Sequence, residues 1–254
     1  MTQNNADLIG RCLDSVTGWA KEIVIIDAGS RDQTVAIVKK YGAKVFHEPW
    51  QGFAKQRTLA AGKATSNWLF YLDPDERLTV RLKQEINSLS EETPAAAYEM
   101  KRENYILGKL LKRGGWYPDW QRRLINKNKL VKWVGRIHEY AQVGGEVKKL
   151  NEAIIHLTHR GIDWNMSKSI VYTEPVADLI LKSGHVQVRW WHLFSAPARV
   201  FWQRGLVRGG VFEGMEGLIA VLYQCFDTFI TYAKVWEKQQ PESMPQKYKK
   251  LDGR

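Results

Sequence analysis

The stretch NWLFYLDPDERL, residues 67–78, carries a run of apolar side chains that stops abruptly at three acidic ones. An apolar run of this length bounded by charge is typical of a buried strand in an open sheet. Asp73, Asp75 and Glu76 would then lie where the strand leaves the sheet. That much negative charge at the edge of a core predicts a cationic partner there.

A second predicted strand also ends in a carboxylate, since the segment EIVIID closes on Asp27. Ligands of open parallel sheets bind beyond the carboxyl ends of the strands, where these side chains meet. Two carboxylates spaced as Asp73 and Asp75 can hold a hard divalent cation, and that cation can bridge a diphosphate. Pro74 between them stiffens the loop. An acidic loop or a helix cap is the alternative that the spacing leaves open.

Helical and strand patterns alternate in the first part of the chain, which is typical of a doubly wound α/β fold with a mostly parallel sheet. Such units open on a strand, whereas this chain opens on a helix, so we expect either that the first strand is missing or that the true start of the protein lies upstream. Ser30 and Gln33 are spaced as a capping box and predict the start of the next helix. Shorter strands follow as far as His156. We predict an α/β domain over 1–160 and a helical, basic, Trp-rich region over 161–254.

The composition favours an anionic partner, because 38 Lys and Arg against 27 Asp and Glu give a formal net charge of +11 over 254 residues. Cys12 and Cys225 have no metal or redox spacing, so we expect them to be reduced and buried. The N-terminus lacks a basic start and an apolar core, and we expect a cytoplasmic location. The longest apolar stretch, GLIAVLYQCFDTFITYAKVW, is interrupted by Gln224 and Asp227, which argues against an unassisted membrane span.

Several segments carry a family resemblance. EIVIIDAGSRDQTV, AKVFHEPWQGFAKQ and NWLFYLDPDERL together resemble the family 2 glycosyltransferases of GT-A fold, and the resemblance continues through GGWYPDWQRRL and RIHEY. It is closest to the branch of lipopolysaccharide inner-core β-glucosyltransferases and extends weakly into the C-terminal apolar stretch. It implies a GT-A-like fold and an inverting, metal-dependent transfer that uses Mg²⁺ or Mn²⁺. The expected donor is UDP-glucose, and the expected acceptor is the lipopolysaccharide core or another glycolipid.

The resemblance also implies roles for the three aspartates at the predicted strand ends. Asp27 would contact the base of the nucleotide-sugar, Asp73 the ribose or the metal, and Asp75 the divalent ion on the diphosphate.

The helix after PWQGF is expected to contribute Gln56 and Arg57 to donor binding. The chain departs from the family there, because Thr58 follows where members often have Asn. It departs again in the turn TQNN, where Asn5 stands in place of a common acidic residue. These departures predict weaker donor binding or a different donor.

The segment RIHEY offers two candidates for a catalytic base, His138 and Glu139. A displacement by a hydroxyl is faster when a carboxylate or imidazole removes the proton as the bond forms. Successive side chains of a strand point to opposite faces, so only one of the two can face the pocket. We predict Glu139 as the base, kept ionised by the nearby cation, with His138 as a structural or acceptor contact. An edge-strand histidine beside a solvated glutamate is the alternative.

The segment RGGWYPDWQRRL has the composition of a saccharide-acceptor loop, because aromatic faces stack on sugar rings while Asp and Arg bind hydroxyls. We predict acceptor contacts by Trp116, Tyr117, Asp119 and Arg122. Arg123 is the candidate for contact with the leaving diphosphate. The alternative is a glycine turn followed by a core Trp and a solvated Arg pair.

His156 ends another apolar run, in AIIHLTH. A histidine in this region completes the metal site in some enzymes that the chain resembles. A satisfied core histidine is the more common role for a residue in this position, and the pattern does not decide between the two.

The segment VQVRWWHLFSAPARVFWQRGLVRGG, residues 186–210, interleaves arginines with aromatic side chains. Trp and Arg favour the headgroup layer of a bilayer, so we predict peripheral attachment to the inner face of the cytoplasmic membrane. Packing onto the catalytic domain and stacking on single-stranded nucleic acid are the alternatives. A nucleic-acid-binding protein would give the three aspartates no role, so we expect no nucleic-acid partner. A nucleotidyltransferase is the other alternative, but it would need a basic Gly-rich loop after its first strand, and no such loop is visible in the sequence.

Overall fold

The computed structural model describes residues 1–90, 93–135, 139–184 and 187–252. The chain forms two compact units. The first contains Met1–Tyr105 and Tyr117–Thr158, and the second contains Ile106–Trp116 and His159–Arg254. The sequence predicted one boundary near residue 160, whereas a segment within the α/β region also belongs to the second unit.

The elements of the first unit follow one another as helix–strand pairs and then as consecutive strands. In chain order they are α1 (Ile9–Asp14), β1 (Val24–Asp27), α2 (Thr34–Lys40), β2 (Lys44–His47), α3 (Phe53–Lys63), β3 (Trp68–Phe70), β4 (Glu76–Leu78), α4 (Val80–Asn87), β5 (Ala97–Ile106), β7 (Asp119–Asn126), β8 (Leu130–Val134), β9 (Tyr140–Val143) and β10 (Val147–Thr158). The short strand β6 (Lys109–Leu110) follows β5 in the chain but belongs to the second unit.

Parallel pairing is found at the start of the chain. β1 pairs with β2 in parallel register, from Val24 opposite Lys44 to Asp27 opposite His47. On the other side of β1, Thr2 forms an isolated parallel bridge with Asp27. Between Met1 and α1 the structure has this bridge in place of a full strand, in agreement with the helix-first pattern of the sequence.

The larger sheet has the strand order β3-β7-β5-β10-β4, and the pairings β3–β7, β5–β7 and β10–β4 are antiparallel. The prediction of a mostly parallel sheet therefore applies to β1 and β2 but not to these three ladders. From β5 onward the strands follow one another without long helical crossovers, and short connections join antiparallel strands. The β10–β4 ladder places His156 opposite Glu76.

The core of the first unit consists of two clusters of buried apolar side chains. Each fully buried aliphatic side chain contributes roughly 1.5–3 kcal/mol to stability. The first cluster joins helices α1, α2 and α4 to the sheets, and it includes Ile9, Ile25, Val38, Leu82, Met100 and Ile154. The second joins α3 to strands β3, β7, β8 and β9, and it includes Ala61, Leu69, Ile125, Trp133 and Ala141.

The second unit is helical. Its main elements are α5 (Ile162–Lys182), α6 (His192–Val200), a π-helical continuation (Phe201–Val207), a 3₁₀ turn (Gly210–Phe212), α7 (Gly214–Lys238) and α8 (Met244–Leu251). α7 packs against both α5 and α6. Both cysteines of the chain are free, as predicted; Cys12 is buried, whereas Cys225 on α7 is only half-buried.

Candidate active site

The acidic loop after β3 is a tight turn held by one of its own carboxylates. The N–H of Glu76 donates to the carbonyl of Asp73 at 2.9 Å, and the N–H of Asp73 donates to Glu76 Oε2 at 3.0 Å. β10 fixes the other side, since the N–H of Leu157 donates to the carbonyl of Asp75 at 2.9 Å. Glu76 is fully buried. It therefore shapes the loop that presents Asp75 and is not a solvated acid.

Seven charged side chains of alternating sign form a continuous series of ion pairs, which we call the ion-pair chain. The six N···O distances along it are 2.7, 3.4, 2.5, 2.7, 3.1 and 2.8 Å. Buried pairs of this kind are screened by salt much less than surface pairs. Loss of one member would leave each of its neighbours with one partner fewer for a charge that is largely removed from solvent. In order, the members are Asp119, Arg102, Glu76, Arg123, Asp73, Arg57 and Glu139.

Asp73 lies at the middle of the ion-pair chain. Its Oδ1 accepts from Arg57 Nη2 at 3.1 Å and its Oδ2 from Arg123 Nη2 at 2.7 Å. Burial raises the pKa of Asp73, but the charges of Arg123 and Arg57 outweigh that effect and hold the pKa well below its usual range. Both oxygens thus already have cationic partners, and the ribose or metal contact predicted for this residue stays a prediction. The cation that the sequence predicts beside the acidic loop is here a pair of arginines.

Asp75 faces a histidine whose tautomer is set by two further residues. Asn104 Nδ2 donates to Asp119 Oδ2 at 3.2 Å, which turns the amide oxygen of Asn104 toward His156 Nδ1, 2.6 Å away. Because that oxygen only accepts, a neutral His156 carries its proton on Nδ1. Its Nε2 then carries a lone pair and lies 3.5 Å from Asp75 Oδ2. One nitrogen and one oxygen donor therefore converge beside the ion-pair chain.

Glu139, the predicted base, is the end member of the ion-pair chain. Its Oε1 accepts from Arg57 Nε at 2.8 Å. The Arg57 guanidinium in turn lies over two rings, 5.0 Å from the centroid of Trp133 and 5.7 Å from that of Tyr71. These contacts fix Arg57, and its guanidinium is the cation beside Glu139, a position that the sequence assigned to a metal. The neighbouring candidate, His138, lies outside the described residues.

Asp27 ends β1, as predicted, and its carboxylate is almost fully buried. It accepts from the N–H groups of Gly29 and Ser30 at 3.2 and 3.1 Å, and His47 Nδ1 lies 3.2 Å away. Burial raises the pKa of Asp27, but the hydrogen bonds from Ser30, His47 and Gly29 outweigh it, and the pKa is lowered. Contact between Asp27 and a nucleotide base stays a prediction.

Gln56 is buried within the first unit and holds the loop before its own helix. Its Nε2 donates to the carbonyls of Pro49 and Glu48 at 2.9 and 3.3 Å. The amide nitrogen of Gln56 thus anchors the loop, and the predicted donor contact by Gln56 stays a prediction. The amide oxygen has no hydrogen-bond partner among the described residues.

Residues 1–142 match the family model described as "Glycosyl transferase family 2". The chain belongs to this family. The predicted family membership is thus confirmed, and the glycosyltransferase has the α/β architecture and the helical C-terminal region predicted for it.

Two relatives align with nearly the whole glycosyltransferase chain. One is the lipopolysaccharide core biosynthesis glycosyltransferase LpsC of Rhizobium meliloti, 27% identical over 95% of this chain and 92% of that protein. Another is an uncharacterized glycosyltransferase of Rickettsia felis, 25% identical over 93% of this chain and 88% of that protein. Among solved structures, the mannosyltransferase PcManGT of Pyrobaculum calidifontis, in complex with GDP-Man and Mn²⁺, is 14% identical with a TM-score of 0.48, covering 99% of this chain and 77% of that one.

The segment predicted as one acceptor loop is divided between the two units of the glycosyltransferase. Trp116 belongs to the second unit, where it packs against the cluster around Leu111 and lies under the Arg204 guanidinium, 4.8 Å from its ring centroid. Tyr117 belongs to the first unit and is half-buried. Trp116 is also half-buried, and the predicted acceptor contacts by Trp116 and Tyr117 stay predictions.

Asp119, Arg122 and Arg123 lie on strand β7 and not in a loop. Arg122 donates to Glu99 Oε1 at 2.9 Å and to the carbonyl of Ala141 at 2.5 Å. Asp119 and Arg123 are members of the ion-pair chain. These side chains therefore have partners within the sheet, and the predicted acceptor contacts by Asp119 and Arg122 and the predicted diphosphate contact by Arg123 stay predictions.

Three residues of the site were not assigned from sequence: Glu76, Arg102 and Asn104. Side chains two apart on a strand share a face, so Arg102 and Asn104 on β5 meet Asp119 on β7, and the register places Arg102 opposite Asp119. The alternation of polar residues in both strands was the available signal. It becomes informative only when the pairing of the two strands is known.

Proposed function

We propose that this glycosyltransferase moves a sugar, with inversion, from a nucleotide-sugar to a lipopolysaccharide core or a related glycolipid. UDP-glucose is the expected donor. The observation that carries the proposal is the convergence of Asp75 Oδ2 and His156 Nε2 next to the ion-pair chain that ends in Glu139. The acceptor class rests on the similarity to LpsC, whose name places that protein in lipopolysaccharide core biosynthesis.

A divalent cation fits between Asp75 and His156. Within the described residues no group of three or more His, Cys, Asp or Glu side chains is arranged to hold an ion, so the protein would supply two ligands. Neighbouring ligands of an octahedral ion with bonds of about 2.1 Å lie about 3 Å apart, close to the 3.5 Å between Asp75 Oδ2 and His156 Nε2. When bound, such an ion neutralises charge on a leaving diphosphate. Asn104 would position His156 for this contact.

Glu139 would accept the proton of the acceptor hydroxyl in the proposed reaction. The hydroxyl oxygen forms its bond to the anomeric carbon as the bond from that carbon to the diphosphate oxygen breaks, and the configuration inverts. The Arg57 guanidinium lies against Glu139 and positions its carboxylate, and a carboxylate within hydrogen-bond reach of a hydroxyl can accept its proton. Asp73 and Arg123 support this arrangement from within the ion-pair chain.

A direct test of the proposed reaction uses the full chain with a panel of UDP- and GDP-sugars and a purified, truncated lipopolysaccharide core as acceptor. Transfer is followed by mass spectrometry, and the anomeric configuration of the product by NMR. An α-linked donor should give a β-linked product. A product that keeps the α configuration would contradict the proposed inversion, and an absence of transfer with every donor would contradict the proposed function.

Replacement of the proposed base should slow turnover without preventing donor binding. Glu139→Gln is expected to lower kcat by on the order of 10²–10⁴-fold, the usual range for loss of a general base, while the affinity for the nucleotide-sugar changes little. The acidic limb of the pH–rate profile should disappear, because the group that must be ionised is gone. A role limited to holding Arg57 would leave that limb in place.

The matched control for this prediction is Glu146→Gln, the same chemical change at an exposed glutamate. It should leave kcat and the pH–rate profile unchanged. A nearly unaltered kcat for Glu139→Gln would show that another group accepts the proton.

A further inference from the structure

α6 and its π-helical continuation in the second unit turn an apolar side to solvent. Trp191, Phe194, Ala198 and Trp202 recur at helical spacing and are all exposed, and Trp190 precedes them. Relative exposure is 72% for Trp190, 68% for Phe194 and 61% for Trp202. The apolar side of an amphipathic helix normally faces the core. We call Trp190, Trp191, Phe194 and Trp202 the aromatic face.

The charged side chains of the segment that carries the aromatic face are of one sign. No Asp or Glu occurs between Asp178 and Glu213. The same stretch contains Arg189, Arg199 and Arg208, and all three are exposed. The Arg189 guanidinium lies 5.2 Å from the centroid of Trp191. An aromatic surface surrounded by arginines is complementary to an anionic surface with an apolar interior.

Helix α7 exposes a second apolar surface in the same unit. Among the described residues it is a helix long and apolar enough to cross a membrane, and most of its apolar stretch is not buried. With α5 it forms an apolar groove lined by Ile162, Met166, Ile219, Leu222, Tyr223 and Phe226. Asp227, in the middle of α7, hydrogen-bonds Ser169 on α5. That contact ties α7 to its own unit and favours a helix that lies along a surface over one that crosses it.

We infer that the aromatic face docks on an anionic phospholipid bilayer, with its rings in the headgroup layer and Arg189, Arg199 and Arg208 against lipid phosphates. A second copy of the chain is a poorer occupant, because a symmetric interface would bring these arginines against one another. The bases of single-stranded nucleic acid could stack on the aromatic rings. Nucleic acid has no apolar interior, however, that could bury the exposed Leu206 and Val207, which follow the aromatic face in the chain. This inference does not depend on the proposed reaction.

The test is sedimentation of the full chain with vesicles of phosphatidylcholine alone or with 30% phosphatidylglycerol. The wild-type chain should bind the anionic vesicles, and binding should weaken at 1 M salt, where the Debye length is about 3 Å. Combined Trp190→Ala, Phe194→Ala and Trp202→Ala should weaken binding by roughly tenfold or more, the scale expected when large apolar side chains lose burial. Tyr248→Ala on α8, also exposed, is the matched control and should bind as the wild type does.

A charge variant tests the same face without altering its apolar side chains. Arg199→Glu with Arg208→Glu should weaken binding to anionic vesicles by roughly tenfold or more, since each basic residue near such a surface contributes about fivefold. Lys249→Glu with Lys250→Glu makes the same change in net charge on α8 and should have a clearly smaller effect. The loss caused by the arginine variant should vanish at 1 M salt.

Three results would overturn the inference. The first is equal binding of the wild type, the aromatic variant and the arginine variant. The second is loss of folding in the aromatic variant, by circular dichroism, combined with normal vesicle binding of the arginine variant, which would make the rings core residues. The third is a wild-type dimer that the aromatic variant converts to a monomer while vesicle binding stays unchanged, which would assign the face to a second copy.

Discussion

Asp75→Asn is expected to reduce metal-dependent transfer by roughly 100-fold or more, beyond the 10–100-fold that loss of a residue supporting a metal ligand usually costs. The reason is that an amide is a poorer ligand than a carboxylate for a hard dication. Asp75 is the oxygen donor that faces His156 Nε2. The measurement is initial rate against Mn²⁺ concentration at saturating nucleotide-sugar. The fold should be unaffected, because the loop is held by the backbone of Asp75 and not by its carboxylate.

Two further variants sharpen the Asp75 experiment. Asp163→Asn makes the same change at an exposed aspartate of α5 and should leave the Mn²⁺ dependence unchanged. Asn104→Ala removes the acceptor that fixes the tautomer of His156, so it should raise the Mn²⁺ concentration needed for half-maximal rate by about 10–100-fold. Wild-type rates for Asp75→Asn at saturating Mn²⁺ would show that Asp75 is not a metal ligand.

The second large effect is on stability. Arg123→Met should lower the free energy of unfolding by about 3–5 kcal/mol, the usual cost of removing one partner from a buried ion pair. Arg123 Nη2 lies 2.5 Å from Glu76 Oε1 and 2.7 Å from Asp73 Oδ2, and Glu76 is fully buried. Burial lowers the pKa of Arg123, but Asp73 and Glu76 outweigh it and raise the pKa above its usual value.

Urea unfolding measures this effect, with Arg81→Met, an exposed arginine on α4, as the matched control. Combining Arg123→Met with Glu76→Gln should cost less than the sum of the two single changes, because the double variant no longer leaves Glu76 charged and deprived of its closest partner. A loss below about 1 kcal/mol for Arg123→Met, the level of a surface pair, would contradict the structural role of the ion-pair chain.

The strand ends were predictable from sequence, because an apolar run indicates a buried strand and the carboxylate that stops it indicates where that strand leaves the sheet. Asp27 closes β1 as expected, and Asp73 and Asp75 follow β3. The start of α2 was predicted wrongly. The helix begins at Thr34, whose N–H donates to Asp32 Oδ1, while the Ser30 hydroxyl accepts from the N–H of Asn4. Ser30, which local spacing assigned to a capping box, is therefore hydrogen-bonded to a residue 26 positions away in the sequence.

The charged residues were harder to assign than the strand ends. Arg122 and Arg123 have the composition of a ligand-binding loop, but the pairing of β7 with β5 and β3 places them in the sheet. Sequence shows which side chains are charged, whereas their partners depend on the register of strands that are distant along the chain. Trp116 shows the same limit, since its segment belongs to the unit formed mainly by residues after 158.

Donor binding with and without metal tests the central claim most directly. Thermal unfolding of the full chain is measured with UDP-glucose, other UDP-sugars and GDP-mannose, each with Mn²⁺ or with EDTA. A ligand at about 100 times its Kd adds about 2.7 kcal/mol of stability, which for a chain of this size raises Tm by roughly 5–10 °C. We expect such a rise with UDP-glucose and Mn²⁺, a much smaller one with EDTA, and none with Mn²⁺ in Asp75→Asn. A Tm that no nucleotide-sugar raises, or that rises equally with Mn²⁺ and with EDTA, would contradict a metal-dependent nucleotide-sugar site.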